Sequence, residues 1–186
     1  DQFPEVQLIL SGSSAFELNN ETGEALTGRK WEYQLYPVSM EELQQTIGFL
    51  QAGQQLEQRI VYGMYPDVFN YAGKEKEVLN NLINSYLYKD VLALTGIKKP
   101  DVLQKLTQAL ALQTGNEVSY NELAQLLGIN KETVGNYIDV MEKAYVVFRV
   151  NPFSRNIRNE IKTNRKIYFY DTGLRNALIS NFNPLN

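Results

Sequence analysis

The sequence contains no cysteine and no histidine, and a single tryptophan, in 186 residues. Without cysteine there is no disulfide framework, no thiol nucleophile and no thiolate-built zinc site. Without histidine there is no serine–histidine triad and no imidazole metal ligand. Any catalysis must rest on carboxylates, hydroxyls, lysine, arginine or tyrosine. No run of about 18 apolar residues occurs, so no membrane-spanning helix is expected. The opening Asp1-Gln2-Phe3-Pro4 has neither an initiator methionine nor a basic, then apolar leader, so it reads as a chain cut from something longer. Cytoplasmic localisation is the expectation, in keeping with the missing cysteines.

What is present is an ordinary globular composition, 44% hydrophobic and 21% charged, with a formal net charge of -3. The charge is uneven. Residues 1–67 sum to -7, residues 68–148 to -1, and residues 149–186 to +5. A basic C-terminal segment on an acidic chain points to a local anionic contact; a solvated basic hairpin is the alternative.

Val6 to Leu10 is a short apolar run ending in Ser11-Gly12-Ser13-Ser14, as expected of a buried strand entering a polar loop. Trp31 to Tyr36 alternates aromatic and polar residues and reads as a second strand, closed by Pro37. Ser39 and Glu42 form a capping box for a helix that continues through Leu43, Ile47 and Leu50. The apolar positions from Glu75 to Leu94 predict one long helix stopped by Gly96, and Pro100 suits the first turn of the next. Together these elements predict a mostly helical α+β chain, divided near the Pro66 turn into residues 1–70 and 71–186.

Residues 118–143 carry the clearest local motif. Ser119 and Glu122 form a second capping box, Gly128 supplies a left-handed turn, and Asn130 caps the following helix. Ala124 lets the two helices cross closely, while Val134 and Ile138 fill the contact. Tyr145–Val150 and Lys166–Tyr170 then read as paired strands, with Arg155, Arg158, Lys162 and Arg165 between or beside them. Helix, helix, hairpin is the order of a winged helix with a basic wing. On the second helix Lys131 and Asn136 suit nucleic acid, but Glu132, Asp139 and Glu142 would oppose phosphates, which argues against sequence-specific major-groove reading. Sequence-tolerant contact through the wing, and packing of the winged helix on a protein partner, both stay open.

Several segments resemble one family in order and spacing. Ile9-Leu10-Ser11-Gly12-Ser13-Ser14, Leu26-Thr27-Gly28-Arg29, Leu35-Tyr36-Pro37-Val38-Ser39 and Tyr62-Gly63-Met64-Tyr65-Pro66 look like the second half of a prokaryotic AAA+ ATPase module of the AAA-14 type. Tyr86-Leu87-Tyr88-Lys89-Asp90, Pro152-Phe153-Ser154-Arg155-Asn156 and Tyr170-Asp171-Thr172-Gly173-Leu174-Arg175 look like the DUF4143 region that follows it. The resemblance implies ATP and Mg2+ as cofactors of the parent protein, held by Walker A and Walker B motifs. No Gly-x-x-x-x-Gly-Lys-Ser/Thr occurs in this sequence. These residues are therefore expected neither to bind nor to hydrolyse ATP by themselves, and the family's C-terminal nuclease-like region is also expected to be missing. The resemblance further implies a sensor role for Ser13 or Ser14 and a sensor or arginine-finger role for Arg29. The family's Gly-Gly-Tyr-Pro turn is Gly63-Met64-Tyr65-Pro66 here. Partners expected on this basis are DNA or a protein at the winged helix, no membrane, and a homo-oligomer or strand-exchanged dimer through Val6–Leu10. A non-enzymatic DNA-binding winged-helix regulator and a protein-interaction module are the alternatives.

Overall fold

A computed structural model describes residues 31–85, 99–151 and 165–185, together with Gln7, Ile9, Ser11 and Gly12. Most of these residues are helical, and a small antiparallel sheet completes a mostly helical α+β fold. Helix α1 (Met40–Ile47) begins at the expected capping box: Ser39 Oγ accepts from Glu42 N, and the Glu42 carboxylate accepts from Ser39 N. Gly48, at φ 88°, turns the chain into α2 (Phe49–Gln54), which is followed by α3 (Leu56–Tyr62). Gly63 ends α3, and Pro66 opens the short α4 (Pro66–Asn70). Helix α5 (Glu75–Leu82) passes into a wider π-type turn over residues 83–85. The remainder of the long helix expected to Leu94 lies outside the described residues.

Helix α6 (Pro100–Leu112) starts on Pro100 as expected and buries Leu103, Leu106 and Leu110 completely. Strand β1 (Glu117–Val118) precedes the helix-turn-helix, α7 (Tyr120–Leu127) and α8 (Lys131–Lys143). Ser119 Oγ accepts from Glu122 N, Gly128 is left-handed at φ 65°, and Asn130 Oδ1 accepts from Thr133 N at 2.7 Å. Strands β2 (Val147–Val150) and β3 (Arg165–Phe169) pair with Phe148 opposite Tyr168, and β1 adds to the far edge of β3, giving the order β1-β3-β2. The chain then enters α9 (Thr172–Leu178), which packs on α3, α5 and α6. One apolar core joins Leu79, Leu103, Leu106, Leu123, Ile138, Met141, Val147, Ile167 and Leu174.

Two expectations change. Residues 31–36 form no strand: they have no ladder partner among the described residues, and Trp31, Tyr33 and Leu35 are 89%, 86% and 99% exposed. Alternation marks two faces of an extended chain, but a strand also needs a neighbour. The first hairpin strand starts at Val147 rather than Tyr145, because Tyr145 is left-handed at φ 54° and belongs to the turn after α8. The two-residue strand β1 was too short to carry a period. Of the apolar run Val6–Leu10, only Gln7 and Ile9 are described, neither in a strand.

Candidate functional site

Helix α8 packs against α7 and against strand β2. Lys131 and Asn136 are exposed on α8, and Arg165 is half-buried at the start of β3, opposite Val118. Arg155, Arg158 and Lys162 lie outside the described residues, as do Ser13, Ser14 and Arg29. The acids of α8 do not stand as the sequence suggested. Arg149, at the root of β2, reaches back to α8: its Nη2 donates to Asp139 Oδ1 at 2.6 Å and its Nε to Glu142 Oε2 at 2.8 Å. Its backbone N donates to Glu142 Oε1 at 3.0 Å, and Nη2 also pairs with Glu142. Two of the three acids that would have opposed a polyanion are therefore neutralised by the protein itself. The same contacts fix the hairpin against the helix.

Burial pushes the Glu142 carboxyl up, but hydrogen bonds from Arg149 and the charges of Arg149 and Arg165 outweigh it and hold it below the ordinary carboxylate range. A depressed carboxyl stabilises the fold above its ordinary pKa, and that contribution disappears as pH falls through the lowered value. Glu142→Gln is expected to cost roughly 1 kcal/mol near neutral pH, after allowance for solvent at this partly exposed pair. Urea denaturation should show the gap closing in strong acid; an equal gap at both pH values would contradict the ion pair's contribution.

A second junction lies where α9 meets α3. Asp171 is only 3% exposed. Its Oδ1 accepts from Leu174 N at 2.8 Å, capping α9, and its Oδ2 accepts from Met64 N at 2.7 Å. The turn that resembled a nucleotide-proximal Gly-Gly-Tyr-Pro thus spends its Met64 amide inside the protein. Asn176 Nδ2 donates to Val61 O at 2.9 Å, and Arg175 Nε donates to Ala111 O at 2.8 Å, so α9 ties together the C-terminal ends of α3 and α6. Nearby, Arg59 is 5% exposed, with its guanidinium 4.4 Å from the centroid of the Phe69 ring. Burial lowers the Arg59 pKa, and the attraction of Glu75 partly restores it.

Beside Asp171 runs an open groove of about 470 Å³, lined by Tyr36, Val38, Met64, Phe148, Tyr170 and Thr172 among others. Tyr36 stacks on Tyr170 with ring centroids 5.4 Å apart, Tyr170 meets Phe148 at 5.0 Å, and Phe148 stacks on Tyr168 at 5.7 Å. The extended segment before α1 is laid along this row: Gln34 Nε2 donates to Tyr145 Oη at 2.9 Å, and Val38 N donates to Met64 O at 2.9 Å. Burial, reinforced by the charges of Tyr36, Glu142 and Tyr145, raises the Tyr170 pKa. In the sequence Asp171 stands only within the family-like Tyr170–Arg175 segment, with no role assigned to it, and the aromatic row was not foreseen, although the aromatic alternation in Phe148, Tyr168 and Tyr170 was a visible signal.

No cluster of three or more acidic metal ligands occurs among the described residues, and Asp171, Asp139 and Glu142 are committed to amides or to Arg149. No described helix is long and apolar enough to cross a membrane.

Comparison with known proteins finds two family models along the chain. An AAA domain model matches residues 1–44, and the model of a domain of unknown function, DUF8612, matches residues 53–185. The region that resembled DUF4143 therefore belongs to a different family model. An uncharacterized protein of Haemophilus influenzae is 24% identical over 92% of this chain. The uncharacterized protein MJ1544 of Methanocaldococcus jannaschii is 25% identical over 93% of it. The chain spans 46% and 43% of the lengths of these two relatives. A second protein of that archaeon, MJ1637, is 31% identical over 56% of the chain. No solved structure matches. With most of its length under one model and an AAA-like region ahead of it, the chain belongs to the DUF8612 family.

Proposed function

We propose that this chain is part of an AAA-type ATP-binding protein whose DUF8612 region is a winged helix that contacts nucleic acid through its basic hairpin. The observation that carries the reading is the order α6, β1, α7, α8, β2, β3 with sheet order β1-β3-β2, in which a helix-turn-helix is followed by an antiparallel hairpin. The AAA match over residues 1–44 supports the ATP-binding part. ATP and Mg2+ chemistry belongs to the whole protein, since these 186 residues hold no Walker A motif.

The charge pattern supports nucleic acid over a protein partner. Asp139 and Glu142 are held by Arg149, while Lys131 stays exposed on α8 and the hairpin sequence carries Arg155, Arg158, Lys162 and Arg165. Contacts of this kind neutralise phosphates without reading bases. Charge reversal of Arg155, Arg158 and Lys162 to Glu is expected to weaken duplex DNA binding by roughly 10-fold or more at low salt. Fluorescence anisotropy checks it. Unchanged binding would remove the wing from the interface, and no DNA binding by the unaltered chain would favour docking of a protein instead.

A further inference from the structure

Helices α2 and α3 form a nearly continuous run, because Gln55 between them keeps right-handed helical geometry and its carbonyl still accepts from Arg59 N at 2.9 Å. Ala52, Arg59 and Val61 are its buried residues. Another side of the run is bare. Phe49 is 73% and Leu50 79% exposed, and Leu56 and Ile60 are exposed as well. Phe49, Gly53, Leu56 and Ile60 recur at helical spacing, so they share one stripe, with Leu50 beside it. A Cβ on Gly53 would meet nothing within 4 Å. Glycine inside a helix weakens it relative to alanine, and no described residue uses the space that Gly53 leaves. Residues 43–56 hold no charged side chain. Phosphates and membrane headgroups call for Lys or Arg around such a stripe, and this stretch has neither. Apolar residues with glycine and glutamine suit another folded surface, since charge is depleted at the centre of such contacts.

Position says which surface. The stripe starts at Phe49, between the end of the AAA match at residue 44 and the start of the DUF8612 match at residue 53. An AAA match of 44 residues is shorter than an ordinary domain, and within it Trp31, Tyr33 and Leu35 are themselves bare. The chain spans less than half of MJ1544 and of the Haemophilus influenzae protein, so polypeptides of this kind have length for the rest of an AAA domain. We propose that the Phe49–Ile60 stripe is the seat on which the remainder of the AAA domain packs, within the same polypeptide and in close approach at Gly53. The proposal rests on the reading of this chain as part of an AAA-type protein, and adds the surface that holds that domain to the DUF8612 region.

The test places photoreactive benzoylphenylalanine at Leu50 in the full-length protein. Irradiation is expected to give an internal crosslink, mapped by mass spectrometry to the AAA domain, with the subunit still running as a monomer on a denaturing gel. Crosslinked dimers would make a second copy the occupant and overturn the proposal; so would crosslinks confined to the DUF8612 region, or none. Gly53→Ala supplies a second readout. In the 186-residue chain the added methyl meets nothing and improves the helix, so the urea midpoint should rise. In the full-length protein the same methyl should lower it, by intruding on the packed domain. A midpoint that rises in both proteins overturns the close approach. Binding of a fluorescent ATP analogue by the full-length protein, measured in parallel, separates this proposal from the reading beneath it. ATP binding without the internal crosslink overturns the docking while the AAA reading stands, and no ATP binding removes both.

Discussion

Gly173→Ala is expected to cost about 3 kcal/mol or more, read as a lowered urea midpoint and a thermal transition many degrees lower. Gly173 lies in the first turn of α9, where that helix touches the backbone at the end of α3. A Cβ there would overlap the carbonyl group of Tyr62 and come within 2.7 Å of Gly63 N. Neither neighbour is a side chain that can rotate away. Gly63 is fixed in turn: it adopts φ 77°, and a Cβ on it would overlap the Asp171 carboxylate. Close backbone approach at both glycines is what allows α9 to sit on α3, and α9 also contributes Leu174, Ala177 and Leu178 to the core. The damage therefore reaches beyond one contact. A Gly173→Ala protein as stable as the original would mean that α9 does not dock here.

Asp171→Ala is the second large effect, expected at about 2–4 kcal/mol. It removes the cap of α9, which costs about 1 kcal/mol. It also leaves the Met64 N–H, part-buried at this junction, without its acceptor, which costs about 1–3 kcal/mol more. The pH dependence identifies the group. Burial raises the Asp171 pKa, and amides of Met64, Leu174 and Gly173 only partly oppose this. The folded state therefore binds this proton more tightly than the unfolded chain does. Stability from this group is greatest below the ordinary aspartate value of about 4 and declines as pH rises through the raised value. Asp171→Asn should remove that decline while keeping one acceptor, so it should be milder than alanine. Denaturation midpoints of all three proteins across this range check both points; parallel pH profiles would contradict the raised pKa.

The features legible in the sequence are those made by short-range hydrogen bonds. Ser39 with Glu42, Pro100 at a helix start, and Gly128 and Asn130 around the helix-turn-helix each declare themselves within a few residues, and each stands where expected. Where meaning depends on a distant partner, the sequence is silent. Met64 and Asp171 are 107 residues apart, so nothing local to either shows that the Gly63-Met64 turn serves as the seat of α9. Asp139 and Glu142 read as acids on a polyanion-facing helix until Arg149 is seen to hold them both. Trp31–Tyr36 has the alternation of a strand, yet instead of a ladder it offers Gln34 to Tyr145 and Tyr36 to Tyr170. Of the site residues expected from sequence, Lys131, Asn136 and Arg165 are placed on the helix-turn-helix and sheet. The aromatic row beside them had to be seen assembled, since its rings come from three separate stretches of chain.

The salt dependence of DNA binding bears most directly on the winged-helix reading. Each phosphate neutralised by a cation contributes about 0.9 to the slope of log affinity against log salt on duplex DNA. Reversing Arg155, Arg158 and Lys162 to Glu is therefore expected to flatten that slope by about 3. An identical slope in the altered and unaltered proteins, or affinity independent of salt in both, would contradict phosphate contact by the hairpin.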